Sequence, residues 1–434
     1  MAETKIVNAS ILPVDGKTAI IEGGELLIRD GKIASLGASV GAGAGADIVD
    51  AQGQVVMPGL VNTHTHSAMT LLRSYADDLP LMEWLQNKIW PVEAHLNEED
   101  IYWGTALAAV EMLKSGTTTC SDMYFLMDNA ARAYADTGIR AVIAPGLFSF
   151  AQDPAGELRK ASEICRDWQG GADGRITTML APHAPYTCDR EYLLEILDVA
   201  REIDVPIHTH LSETKGEVEE SYEKLGKSPV AYLEELGILG HRHTLAAHCV
   251  HVDEEDIGIL GRNRVAIAHN PQCNMKLGNG VAPVVELGAA GAVVGVATDG
   301  VASNNNLNLW EEMRMAAFLQ KGYHGDTTRL PATAALEMGT RIGAAALDLA
   351  GVTGSLEVGK EADLIFVDAK QPQFQPLHDL TSNLVYSAYG SEITRVFVSG
   401  REVLRDGRLT RIDEEEIYRN ARAQARRLLE AAGK

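Results

Sequence analysis

Apolar and polar positions alternate in one rhythm at the two ends of the chain and in another through its centre. From residue 4 to about 57 the chain reads as short strands separated by turn residues. Glu25-Leu26-Leu27-Ile28-Arg29 runs into Asp30-Gly31, and Lys32-Ile33-Ala34-Ser35-Leu36 follows. The C-terminal end repeats this grammar. Arg395-Val396-Phe397-Val398 leads to Ser399-Gly400, and a second turn falls at Asp406-Gly407. Alternation around X-Gly pairs predicts hairpins. The Gly/Ala run from Gly41 to Ala46 has no Gly-Lys-Ser/Thr after it, so it reads as a surface loop and not a phosphate cradle.

The centre carries apolar, β-branched runs near 59–63, 117–121, 139–146, 176–181, 205–209, 244–248, 264–268 and 293–298. Segments of helical period separate them, such as Ile101 to Lys114 and Arg190 to Ile203. Eight strand–helix units predict an α/β fold, a (β/α)8 TIM barrel. The β-rich flanks predict one small β-sandwich built from both chain ends. The expected domains are 1–57 (sandwich, N-terminal part), 58–355 (catalytic barrel) and 356–434 (sandwich, C-terminal part, with a terminal helix). The helix from Glu414 to Ala432 alternates acid and base and reads as a solvated face.

A barrel does its chemistry at the C-terminal ends of its strands. His64 and His66 close the first run, His183 follows the fourth, and His208 and His210 close the fifth. His248 closes the sixth, His269 the seventh and Asp299 the eighth. Each alone has an ordinary explanation, such as a core histidine or an Asp-Gly turn. Their coincidence at one end of the predicted barrel points to a site. A third His-x-His, His241/His243, lies in a Gly-His-Arg-His connection and reads as a loop.

Histidines at i and i+2 of a strand share a face and can meet one ion. Three imidazoles and a carboxylate suit a divalent cation such as zinc. The expected ligands are His64, His66, His210 and Asp299, with His210 preferred to His208 because Glu213 lies three residues beyond it. Glu213 is positioned to hold and deliver a proton, Asp299 to take one from water, and His248 to stabilise developing charge. No lysine occurs between Ala161 and Thr214, so the carboxylated lysine of a two-metal site has no candidate there. A single divalent ion, zinc, is expected.

Composition narrows the setting. Apolar residues make up 46% of 434, enough for a large core, and the formal charge of −22 disfavours nucleic acid and anionic membrane surfaces. Five scattered cysteines without a C-x-x-C predict a reducing compartment and no disulfide framework. With no apolar leader or spanning run, a cytoplasmic location is expected. The sequence leaves open whether the protein forms a homo-oligomer.

The stretch Val56-Met57-Pro58-Gly59-Leu60-Val61-Asn62-Thr63-His64-Thr65-His66 resembles the entry motif of the amidohydrolase superfamily. His208-Thr209-His210-Leu211-Ser212-Glu213 and Ala297-Thr298-Asp299-Gly300 resemble its fifth- and eighth-strand signatures. Asn62 to Asp77, Leu81-Met82-Glu83-Trp84-Leu85 with Trp90-Pro91-Val92-Glu93, and Ala181-Pro182-His183-Ala184-Pro185-Tyr186 are most similar to the 5′-methylthioadenosine/S-adenosylhomocysteine deaminases. The resemblance implies hydrolytic loss of ammonia from C6 of an adenine nucleoside, a small-molecule substrate. It also implies that Glu93 binds the ribose hydroxyls, His183 the purine, and Glu213 the ring nitrogen N1. Trp90 beside Glu93 suggests an aromatic platform. Nucleoside members often carry an arginine just after the third strand. Here that region reads Ala144-Pro145-Gly146-Leu147-Phe148-Ser149-Phe150, and Arg159 is the nearest replacement. A neutral pocket with Phe148 and Phe150 would favour the methylthio compound. Rival readings are a guanine deaminase or triazine chlorohydrolase on the same scaffold, or a metal-binding barrel without activity. The cysteine-type zinc deaminases are excluded, since their H-x-E…P-C-x-x-C pattern is missing.

Overall fold

The computed structural model describes residues 3–434. Eight parallel strand positions follow one another in the centre: Leu60–Thr65, Thr117–Tyr124, Arg140–Leu147, Ile176–Thr178 with Ala181–Pro182, Ile207–Leu211, Thr244–His248, Ala266–His269 and Val293–Val296. The first four pair in sequence order, as do the last four. Helices alternate with them, including Glu98–Lys114 and Arg190–Glu202 close to the expected limits. Several helices open on side-chain caps, such as Asn97, Asp189 and Thr214, which satisfy otherwise orphaned amides.

Two seams join the half-sheets into the barrel. At one, His208 N donates to Leu180 O (2.9 Å) and His210 N to His183 O (2.9 Å). At the other, between the first and eighth strands, side chains do most of the joining. Asn62 Nδ2 donates to Thr298 Oγ1 (2.8 Å), Thr298 N to Asn62 Oδ1 (3.1 Å) and Thr63 Oγ1 to Val296 O (3.0 Å). This accounts for polar residues in the middle of a fully buried strand: they replace backbone ladder bonds. Small apolar side chains, among them Ala144, Ala181, Ala247, Ala266 and Ala268, pack with Val61 and Met123 to fill the interior.

Both chain ends share a single nine-stranded sheet. Its order is Arg408–Leu409, Arg401–Arg405, Ile393–Val398, Leu364–Val367, Val55–Pro58, Glu3–Ile11, Ile21–Arg29 and Lys32–Gly37, with Asp47–Asp50 beside Glu3–Ile11. The expected sandwich domain is thus built from both chain ends, its strands joined in one hydrogen-bonded sheet with a core of Ile6, Leu26, Ile28, Leu364, Phe366 and Phe397. The expected hairpins form at Asp30-Gly31, Ser399-Gly400 and Asp406-Gly407, with positive φ at both turn residues of each. Glu414–Ala431 packs on Glu98–Lys114, burying Ile417, Ala421 and Leu428. The Gly41 to Ala46 run lies between strands Lys32–Gly37 and Asp47–Asp50 and is largely exposed.

Candidate active site

The strand ends converge as expected. Ligating atoms of His64, His66 and Asp299 lie within 4.8 Å of one another, and so do those of His64, His210 and His248. Hydrogen bonds fix how the imidazoles face. His66 Nδ1 lies 2.5 Å from Met123 O, and His210 Nδ1 lies 2.8 Å from His183 O. A carbonyl accepts only, so both rings carry their proton on Nδ1 and aim an Nε2 lone pair inward. His64 Nδ1 lies 2.9 Å from His208 Nε2, and His208 Nδ1 lies 3.4 Å from Ser121 Oγ. The first histidine of the fifth strand, His208, therefore supports His64 from behind, while His210 joins the cluster.

His64 Nε2 is fully buried and has no hydrogen-bond partner among the described residues; Asp299 Oδ1 is 3.5 Å away. The same Oδ1 lies 3.3 Å from His66 Nε2. Burial holds His64 neutral, its pKa lowered to about 4, and lowers His210 well below the usual range. Burial works against the charge of Asp299, but the contact with His64 and the facing imidazoles outweigh it and keep the carboxylate ionised. Neutral inward-facing nitrogens, one ionised carboxylate and an orphaned buried acceptor fit a divalent cation. Asp299 is held from two further sides, by Gly300 N (2.7 Å) and by the buried thiol of Cys273 (2.8 Å).

Backbone geometry helps place these groups. Leu245 and Ala247 face the barrel interior, so strict alternation would turn His248 outward. A left-handed φ of 75° at His248 swings its ring to the mouth; Asp299 (62°) and Ser212 (50°) share this strained region. A Cβ on Gly300 would come within 2.8 Å of Met69 Sδ and 3.1 Å of His66 Cβ, so a larger residue there would press on the cluster unless Met69 moved.

Beside the cluster opens a pocket of about 700 Å3. Glu213 lines it, buried, with Oε1 accepting from Asn279 Nδ2 (2.9 Å) and Oε2 3.7 Å from His248 Nε2. Burial raises the Glu213 pKa, and Asp299 adds to this. Burial alone would lower His248, but the carboxylates of Glu213 and Asp299 outweigh it and raise its pKa. Glu93 and Trp90 enter from the segment after the first strand, and Glu93 accepts a hydrogen bond from Tyr124 Oη. His183 lies at the wall, stacked on Phe148 at 4.6 Å. All the expected site residues thus border this one space or its cluster.

Two expectations change. Arg159 is not in the pocket: it sits exposed on helix Pro154–Trp168, 3.9 Å from Asp153. The buried positions of that helix are 156, 158, 161, 162 and 165, which leaves 159 on the solvent side. Phe150 is 66% exposed and packs at the rim against Phe148 and Trp90. Tyr124, Asn279, Cys273 and Glu217 are contacts that sequence reasoning missed. Only Glu217 had a signal, as the last residue of Thr214-x-x-Glu217, a capping-box spacing. His241 and His243 lie at the far end of the barrel, each bonded to a backbone carbonyl. All five cysteines are buried and unpaired. No helix among the described residues is long and apolar enough to cross a membrane.

An eight-stranded parallel barrel with a histidine–aspartate cluster at its mouth defines a hydrolase scaffold equipped for a metal. The chain belongs to the amidohydrolase family, whose sequence model matches residues 55–403. It is 50% identical over 429 residues to a 5-methylthioadenosine/S-adenosylhomocysteine deaminase of Desulforudis audaxviator, covering 98% of this chain and 99% of that one. It is 45% identical to a 5′-deoxyadenosine deaminase of Methanosarcina acetivorans over the full length of both. Among solved structures, a zinc-bound adenosine deaminase from Xanthomonas campestris superposes with a TM-score of 0.93 at 35% identity, covering 98% of each chain.

Proposed function

We propose that this protein is a hydrolytic deaminase of adenine nucleosides that takes 5′-methylthioadenosine to 5′-methylthioinosine and S-adenosylhomocysteine to S-inosylhomocysteine. The observation that carries the reading is Glu213: a buried carboxyl, primed to hold a proton, beside a cluster of inward-facing imidazoles. His64, His66, His210 and Asp299 would hold one zinc ion, which when bound supplies Lewis acidity and brings water near a pKa of about 7.

Hydrolytic deamination adds the oxygen of water to C6 and releases the amino group as ammonia, so a proton must reach the ring and another the leaving group. Glu213, whose hold on a proton burial strengthens, delivers that proton to N1. Asp299, ionised, accepts a proton from the attacking water and returns it to the amino group as ammonia leaves. His248, poised between Glu213 and Asp299, donates a hydrogen bond to the oxygen as charge develops there. His183 packs on the purine, and Glu93, oriented by Tyr124, accepts from the ribose hydroxyls with Trp90 alongside.

The lining of the pocket includes no lysine or arginine, and Phe125, Phe148 and Trp90 form its outer wall. Nothing there meets the carboxylate of a homocysteine tail, so a small apolar 5′ group is preferred. The relative named as a 5′-deoxyadenosine deaminase fits this preference. Purified protein assayed for ammonia release should act on 5′-methylthioadenosine and 5′-deoxyadenosine about tenfold or more faster, in kcat/KM, than on S-adenosylhomocysteine. Guanine should be left unchanged, and a chelator should abolish activity. Equal kcat/KM values would remove the basis for the preference; inert adenine nucleosides would overturn the function.

A further inference from the structure

Glu217 has no part in the chemistry above, yet its environment is unusual for a helix-start glutamate. It is 6% exposed, at the third position of helix Lys215–Leu225. In a capping box that residue reaches back to the N-cap amide. Here it reaches further. Its Oε1 accepts from Ser212 N (2.9 Å) and its Oε2 from Glu213 N (2.7 Å). The Ser212 carbonyl is taken as well, by Val250 N (3.0 Å) and His251 N (2.9 Å). Ser212 itself has a left-handed φ of 50°. The turn that carries Glu213 is therefore strained and gripped from both sides, with both Glu217 carboxylate oxygens on one of them.

We propose that Glu217 is a positioning residue for Glu213. This rests on the role of Glu213 given above. Two parallel N–H···O bonds to one carboxylate fix the plane of the Ser212–Glu213 turn. That plane sets where the Glu213 side chain leaves the backbone, and so whether its carboxyl meets Asn279 and faces His248. Misplacement of a proton carrier by about 1 Å lowers turnover by up to about a hundredfold. Substrate contacts made by Glu93 and His183 lie on other segments and are untouched.

Glu217→Gln tests this. A glutamine keeps the size of the side chain but sets an NH2 against one of the two backbone N–H groups, so one bond is lost. Thr214→Val is the comparison: Thr214 Oγ1 accepts from Glu217 N (3.1 Å), so that change weakens the helix start without altering the carboxylate. Glu217→Gln should lower kcat about ten- to a hundredfold with KM within about threefold and metal content unchanged. It should also speed amide hydrogen exchange in the peptide spanning Ser212 and Glu213, a readout independent of any substrate. Thr214→Val should lower the melting temperature while kcat stays within twofold. If Glu217→Gln behaves like Thr214→Val, Glu217 is only a cap and the proposal falls. Wild-type protein inert on adenine nucleosides, with the exchange difference intact, would instead overturn the deaminase reading and leave the clamp standing.

Discussion

The two ends of the barrel treat buried ionisable groups in opposite ways. At the floor, where the strands begin, the guanidinium of Arg140 makes four hydrogen bonds. It donates to Asp363 from Nε (2.8 Å) and Nη2 (3.2 Å), to Ser399 Oγ (2.8 Å) and to Gly174 O (3.1 Å). Arg175 donates to the carbonyls of Ile139 and Ala135, and His241 and His243 each meet a carbonyl. At the mouth, His64 Nε2 has no partner, both ring nitrogens of His269 have none, and carboxylates and imidazoles crowd together at 3.3–3.9 Å without closing hydrogen bonds. Ionisable groups buried and satisfied at the floor serve the fold, whereas those left unsatisfied together at the mouth leave lone pairs for a ligand.

The sharpest way to break this comparison is to remove a mouth residue. His66→Ala should lower kcat/KM by more than about 10^3-fold and deplete the purified protein of bound divalent metal. Its chelated form should unfold at nearly the same temperature as chelated wild type, because the one hydrogen bond lost, to Met123 O, is offset by thinning a crowd of imidazoles. A large loss of stability in the metal-free variant would make His66 a structural residue. At the floor the pattern inverts. Arg140→Met leaves Asp363 buried without its counter-charge and should lose about 3–5 kcal/mol of stability. The folded fraction should keep its kcat, and pairing the change with Asp363→Leu should restore most of the loss. A kcat that falls in parallel with Arg140→Met would mean that the two ends are coupled.

The same contrast explains what could be read from the chain. The mouth was legible because a barrel collects strand ends: His64, His66, His210, His248 and Asp299 all close apolar runs, and topology alone brings them together. Hairpins were legible because Asp-Gly and Ser-Gly pairs need positive φ twice. Tyr124 and Asn279 were not, since each meets its glutamate across 31 and 66 residues with no spacing to mark the pair. Cys273 was one of five scattered thiols, and its contact with Asp299 depends on how the short helix Pro271–Lys276 packs beside the end of the eighth strand. Arg159 shows the converse error. Its helix pattern already put it on the solvent face, but a search for a missing cation gave it a role the periodicity denied.

A pH titration probes a mouth-side group that is satisfied yet buried. Glu217 is pushed up to about 7 from the usual 4.5, chiefly by burial and also by the neighbouring Glu213, while the two backbone amides and His248 oppose the shift. Between pH 4.5 and 7 the unfolded chain has released this proton and the fold retains it. Stability from this group is therefore whole below 4.5, falls as pH rises through that window, and is gone above about 7. The fall amounts to about 3 kcal/mol. Urea unfolding at a series of pH values should show that slope in wild type and lack it in Glu217→Gln. Parallel curves for the two proteins would show that Glu217 titrates normally.

The smallest expected effect lies farthest from the mouth, and it separates strain that serves a site from strain a turn merely requires. In the sheet, each X-Gly hairpin turn pairs a left-handed Asp or Ser with a left-handed glycine, as at Asp406 (φ 49°) and Gly407 (φ 74°), whereas at the mouth Ser212, His248 and Asp299 adopt the same region with no left-handed glycine beside them. Nothing lies within 4 Å of where a Cβ on Gly407 would stand, so Gly407→Ala introduces no clash and tests conformation alone. It should lose about 1 kcal/mol, visible as a drop of a few degrees in melting temperature, with kcat and KM unchanged. A negligible loss would mean that left-handed geometry is tolerated cheaply throughout this protein. The φ values at the mouth would then cease to mark positions where the fold bears strain to aim a side chain.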